Sequence, residues 1–395
     1  MNNTPVPLLI TPHRGFFLLG ISVFVLAMAW WLAAQIAPPT LIMPQSWLHA
    51  WLAVFGMLGP FIAGFLFTAY SRWLGADPPG RSCWLASLVL MTGGTLLFFA
   101  GAWLGSGWSM AGALAWLGAW VLVMGHLLRA LREGGGAALH AGGMVAAAVL
   151  GLVAAGLLAG WLGTGHSALA VRGLAFAFWG FLLGVYLVVA HRMIPFFAGR
   201  VLQPYPAYRP AWILLAALAL AWTHLALLLA GLPRWLWVTD GALALLALWM
   251  AWRWQWWRAG VHRLLAALFI GWAGLVAGMA ASAVQHGYFF LTGRWVGVHL
   301  AEHLVGIGFF GAMVIAMGTR VTLGHSGRPL QMGATAWWAL LGISLAAALR
   351  ALAELLPLRE PLILASAALW VGAGLAWALR HGPMLVLPRA DQRPG

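Results

Sequence analysis

The chain has 395 residues, of which 63% are hydrophobic and only 7% charged. Soluble domains carry about 25% charged and about 45–50% apolar residues, so there is too little polar side chain here to cover a water-facing surface, and the recurrent apolar runs exclude disorder. The net charge of +14 comes from 21 arginines, with no lysine, against seven acids; they are dispersed singly or in pairs, which excludes a nucleic-acid-binding face or arm.

The apolar stretches are continuous, not alternating strands of about ten residues, so the expected class is an all-α polytopic membrane protein and not a barrel. A spanning helix needs about 20 apolar residues, and twelve segments qualify in chain order: 16–36, 47–70, 84–104, 108–128, 141–163, 173–193, 211–231, 235–252, 264–285, 295–317, 332–354 and 361–380. Turn chemistry separates them, as at Pro38-Pro39, Pro78-Pro79-Gly80, Gly134-Gly135-Gly136, Pro204-Tyr205-Pro206, Pro233, Gly293 and Gly327-Arg328-Pro329. The first span has 21 residues, longer than a signal-peptide core of about 7–15, and reads as an anchor. No long linker interrupts the series, so 1–395 reads as a single integral-membrane domain. The lone cysteine, Cys83, precludes an intramolecular disulfide.

Arginine sorts by side. The N-terminus and the connections after the even-numbered spans hold 16: Arg14, Arg72, Arg81, Arg129, Arg132, Arg192, Arg200, Arg209, Arg253, Arg258, Arg263, Arg320, Arg328, Arg380, Arg389 and Arg393. The opposite connections hold four, Arg172, Arg234, Arg294 and Arg359, while Arg350 lies within span 11. Because cytoplasmic loops carry the excess of basic residues, both termini are expected in the cytoplasm. Tryptophan favours the membrane interface, and Trp30-Trp31, Trp47, Trp73, Trp84, Trp103, Trp108, Trp235, Trp252, Trp254, Trp256, Trp257 and Trp295 all fall near expected span ends.

An ionisable group inside a span is a functional candidate, because burying its charged form costs about 2.5–3.5 kcal/mol on insertion scales. The expected orientation brings five histidines into the outer leaflet. His49 lies near the outer end of span 2, His224 near the middle of span 7 and His286 at the outer end of span 9. His299 and His303, in span 10, are four residues apart and so share a helical face, separated by about 6 Å along the axis, with Glu302 adjoining. Neutral imidazole ligates haem iron, copper and zinc, and two histidines across a bundle are a common way to hold haem. His49 opposite His303 or His299 is therefore the expected haem clamp, with His224 and His286 as further metal-ligand candidates. The competing reading makes each intramembrane histidine an interhelical hydrogen bond. Glu302 is the candidate catalytic carboxylate, orienting a ligand or relaying protons; pairing with Arg294 is its structural alternative.

The other polar groups have plainer expectations. Arg350 and Glu354, four apart, read as a snorkelling ion pair. Asp240 is either a proton-path group or a residue at the outer mouth of span 8. His126, His191 and His262 read as interfacial anchors, and His13, His140, His166, His325 and His381 as residues of loops or tails. No C-x-x-C-H, multi-cysteine cluster spacing, Walker A or G-x-S-x-G motif occurs. A haem would thus be held without covalent attachment, as a b-type, and ATP-driven pumping is excluded.

Three segments carry a family resemblance. HLVGIGFFGAMVIAMGTRVTLGHSGRPL at 303–330 resembles the C-terminal signature of the NnrS family, R-x-[ST]-LGH-[ST]-GRPL, at Arg320, Leu323, Gly324, His325, Gly327, Arg328, Pro329 and Leu330. GFLFTAYSRW at 64–73 is similar to the family's GFLLTAxxxW, and HRMIPFFAGR at 191–200 to its GRxIPFF. The resemblance implies a bacterial inner-membrane protein containing haem and copper and linked to denitrification and the response to nitric oxide. One departure bears on copper. The family's span 2 opens W-H-x-H-E-M, against Leu48-His49-Ala50-Trp51-Leu52-Ala53 here: the first histidine is kept and the second, the glutamate and the methionine are replaced. Either haem is kept without copper, or the chain is a diverged branch. A looser fold-level analogy is the haem-copper oxidase subunit, which also has twelve spans with haem ligands on the second and tenth.

The loop expected at 318–330 leaves two readings. Arg320, His325 and Arg328 bind haem propionates or another anion, the guanidinium groups through bidentate contacts, or the loop is structural with Gly324 and Gly327 setting its turn. The leading function is a haem-binding protein that handles nitric oxide, a gas soluble in lipid, by binding, sensing or reducing it. A nitric oxide-reducing oxidoreductase further requires an electron donor and a proton route. The alternative, of another class, is a secondary transporter or metal-relay protein whose histidines carry a cation or protons without haem.

Overall fold

In lipid every backbone N–H and C=O must be satisfied within its own segment, which makes helices of the apolar runs. A computed structural model, which describes residues 7–392, contains twelve helices long and apolar enough to cross a membrane. They are α1 Pro12–Ile36, α2 Gln45–Leu74, α3 Arg81–Leu104, α4 Ser106–Glu133, α5 Ala138–Thr164, α6 Ser167–Val201, α7 Ala211–Leu229, α8 Pro233–Arg253, α9 Arg263–Thr292, α10 Leu300–His325, α11 Ala334–Leu352 and α12 Arg359–Val386. No strand occurs among the described residues. Arg393, counted above for orientation, lies outside them. The chain is a multi-pass helical membrane protein.

Left-handed glycines end three of these helices: Gly75 (φ 72°) after α2, Gly165 (φ 73°) after α5 and Gly293 (φ 68°) after α9. Several boundaries differ from the expectation. Gly297 takes φ 64°, so α10 begins at Leu300 and not at 295, and His299 precedes its first residue. The helix then runs to His325, so most of the loop expected at 318–330 is helical. α6 continues through Pro195 to Val201, and α9 continues six residues past His286.

The chain divides into two compact units, one running to Val185 and resuming at Gly382, the other Tyr186–His381. Within the first, α3 and α4 form a hairpin whose backbones nearly touch. A Cβ on Gly101 would lie 2.3 Å from Ser109 N, and one on Gly112 2.4 Å from Phe98 N. Buried indoles donate to helix carbonyls: Trp116 Nε1 to Phe55 O at 3.2 Å and Trp120 Nε1 to Ala148 O at 3.2 Å. In the second unit Trp272 Nε1 donates to Ala247 O at 2.8 Å, and Trp377 Nε1 to Thr319 Oγ1 at 2.9 Å.

Three helices are locally widened to π geometry, which inserts an extra residue per turn and is frequent at functional sites. The segments are Leu52–Leu58 and Leu66–Tyr70 in α2, Phe176–Leu182 in α6 and Leu304–Gly311 in α10. Those beginning at Leu52, Phe176 and Leu304 each start four residues before a glycine: Gly56, Gly180 and Gly308. The three helices stand four spans apart, so the widening recurs with a period that hydropathy alone does not display.

Candidate functional site

One buried polar network of the second unit joins α7, α8 and α9. Asp240 lies in the first turns of α8, entirely buried, and its two oxygens face opposite ways. Oδ1 accepts from His224 Nδ1 of α7 at 2.6 Å; Oδ2 accepts from Ser282 Oγ of α9 at 2.5 Å. His286, one turn beyond Ser282, sets Nδ1 3.1 Å from that hydroxyl, 2.8 Å from Ser282 O and 3.7 Å from Asp240 Oδ2. Thr239 Oγ1 stands 3.3 Å from Oδ1. The two imidazoles meet edge to face, with ring centroids 6.5 Å apart.

Next to this network is the start of α10. His303 Nδ1 donates to His299 O at 2.7 Å, because residues four apart stack along a helical turn. A carbonyl cannot donate, so this bond makes Nδ1 the protonated nitrogen and places the imidazole lone pair on Nε2. Glu302 has a buried Oε2 with no hydrogen-bond partner, and it lies within electrostatic reach of His224, His299 and Glu354. Glu354 in turn accepts from Arg350 at 2.7 Å and from the backbone N–H of His299, so the ion pair at the end of α11 pins the loop from which α10 starts. Burial pushes the Glu354 carboxyl up, but the Arg350 hydrogen bond and charge, with Arg359, more than offset it and hold the group below the usual carboxylate range.

These contacts sort the expectations. His224, His286 and Glu302 are brought into one neighbourhood of the second unit, and the Arg350–Glu354 pair forms as expected. Glu302 pairs with no arginine among the described residues, so its alternative as the partner of Arg294 is not realised. His299 and His303 remain neighbours, with ring centroids 6.2 Å apart, although His299 is exposed and precedes the helix. His49 belongs to the first unit, where it stacks on Trp31 at 4.2 Å. Trp51, standing where the family pattern has its second histidine, is buried and stacked on Phe98 at 3.8 Å. Among the described residues no group of three or more His, Cys, Asp and Glu is arranged around a metal position.

Arg320 and Arg328 point to local protein groups. The Arg320 guanidinium lies 3.7 Å from the centroid of the Phe197 ring, and Arg328 Nη1 donates to Ser326 O at 3.4 Å. Several histidines differ from expectation. His126 and His191 are buried within the protein: His126 Nε2 is 3.4 Å from Ser71 Oγ, and the His191 ring bonds the backbone of Pro210. His13, His140 and His381 are buried helical residues and not parts of loops or tails. Ser282 was not legible as a site residue, since a serine in an apolar run carries no signal; its only hint is its place four residues before His286.

The family model described as NnrS protein matches residues 7–389. No curated protein matches the chain.

Proposed function

Since this chain belongs to the NnrS family, we propose that it is a haem-binding protein of the bacterial inner membrane that handles nitric oxide in denitrification or the response to nitrosative stress. The observation that carries this reading is His303. Its Nδ1 is committed to the His299 carbonyl at 2.7 Å, the outer hydrogen bond that sets the tautomer and ring orientation of a metal-ligating histidine. The donor set fits haem iron: neutral imidazole in an apolar bundle, with the buried, unpartnered oxygen of Glu302 one residue away.

His303 is the imidazole assigned to iron, and His299 orients it through its carbonyl; His49, stacked on Trp31 in its own unit, is kept as a separate candidate ligand. A haem held at His303 would supply redox-active iron. Glu302, one residue from His303 and with an unpartnered buried oxygen, would hold or pass a proton there, and the apolar spans would admit a lipid-soluble gas while excluding water. The replacement of the family's second histidine by Trp51, packed against Phe98, removes a donor from α2 and argues for haem without copper at that helix.

An absorption spectrum of purified protein, expressed with adequate haem and recorded with and without dithionite, tests the reading. A Soret band that sharpens and shifts on reduction is expected, lost or displaced in His303→Ala. Absence of the band in wild-type protein would falsify haem binding, and an unchanged spectrum in His49→Ala would remove His49 from the ligands.

A further inference from the structure

Asp240 poses an electrostatic problem that the arginines of its unit do not solve. Arg350 is held by Glu354 at 2.7 Å, while Arg234 and Arg294 are exposed, and no guanidinium pairs with Asp240 among the described residues. A lone carboxylate in an apolar interior is costly, and the group neutralises by taking a proton or by pairing with a cation. The titratable groups facing it are His224 from α7 and His286 from α9; Glu302 of α10 lies within electrostatic reach of His224, and His299, before that helix, and Glu354, after α11, lie within reach of Glu302. With both imidazoles neutral the network carries one net negative charge, so it becomes neutral by holding one more proton.

We propose that Asp240, His224, Ser282 and His286 form a proton-holding site, loaded through His286 and shared between Asp240 and His224. The exposure of the side chains gives the direction: His286 is 12% exposed, His224 2% and Asp240 0%. A proton on His286 Nδ1 passes to Ser282 Oγ as that hydroxyl gives its own proton to Asp240 Oδ2. One N–H and one O–H bond break, two O–H bonds form, and no electrons are transferred. Loss of the shared proton to solvent or to a neighbouring acceptor resets the site. The pair Asp240–His224 binds this proton as a unit, since the groups sit 2.6 Å apart in a buried setting. Delivery onward to Glu302 rests on the function proposed above; the proton-holding site itself does not.

The test is an infrared pH-difference spectrum of the whole protein in lipid nanodiscs, with neither nitric oxide nor reductant present. In wild-type protein a protonated-carboxyl C=O band and an imidazole band should respond together across one titration. Asp240→Asn should abolish the carboxyl band and move the imidazole midpoint by about one pH unit or more, a tenfold change in proton affinity. Ser282→Ala, which removes a hydrogen bond without removing a charge, should shift the carboxyl band and keep the titration. Bands unaltered in either folded variant overturn the proposal, and Ser282→Ala alone decides it if Asp240→Asn does not fold. Haem content measured on the same samples separates the two readings: haem lost with both bands intact strikes only the nitric oxide reading, and haem present without coupled bands strikes only this one.

Discussion

Gly274 of α9 illustrates what one residue can decide in a lipid-embedded protein. A Cβ built on it would lie 2.3 Å from the carbonyl carbon and oxygen of Gly308 and 2.7 Å from Phe309 N, within the π segment of α10. Backbone cannot turn aside as a flexible side chain can, so Gly274→Ala has to push the two helices apart. Overpacking of this kind costs about 1–3 kcal/mol. A lower unfolding temperature in detergent is expected for Gly274→Ala, while Gly142→Ala, where the added methyl meets nothing within 4 Å, should leave it unchanged. Equal effects in the two variants would contradict the close approach. Asp240 is a different case at the same scale. An acid inside a span was visible as a candidate, but its partners come from positions 224, 282 and 286, and only folding brings these together. Tryptophan divides likewise: Trp252, Trp256 and Trp257 are exposed near the end of α8 as interface preference suggests, whereas Trp84 and Trp254 are buried.

At the scale of elements, the start of α10 depends on its neighbour. Hydropathy cannot find this boundary, because Trp295, Val296 and Val298 are as apolar as the helix that follows; the positive φ of Gly297 sets it. The loop is then tied by Glu354 through its bonds from Arg350 and the His299 amide. The Glu354 carboxyl is held below its unfolded value of about 4.3. Its contribution is therefore complete above that value and lost as pH falls through the lower folded value. Hydrogen exchange of residues 293–299, corrected for intrinsic rates, should show constant protection from neutral pH down to the ordinary carboxylate range and a fall only below it. Glu354→Gln should start less protected and lack the step; a step that persists in this variant belongs to another group. The ion pair itself was readable, since a spacing of four places the two side chains on one helical face.

Across the whole molecule, the asymmetry of 16 arginines against four makes a topological prediction. Reporter fusions at the C-terminus and in the connection before α7 should report the cytoplasm, and fusions at Arg234 and Arg294 the opposite side. A C-terminus found outside would invert every depth assigned to the histidines. Fold class and span number followed from the sequence because the bilayer enforces both: an apolar run of about 20 residues has no other way to satisfy its backbone. Family membership was legible in the three motif segments, one of them ending at Leu330. The positions of the polar groups were legible as well, since any such residue stands out against 63% hydrophobic composition. Their partners were not. Which imidazole meets Asp240, which carbonyl orients His303, where α2, α6 and α10 widen and which tryptophans turn inward are set by contacts between helices remote in sequence. The apolar pattern that places a helix in the membrane constrains its rotation and register only weakly, and packing against neighbouring helices decides both.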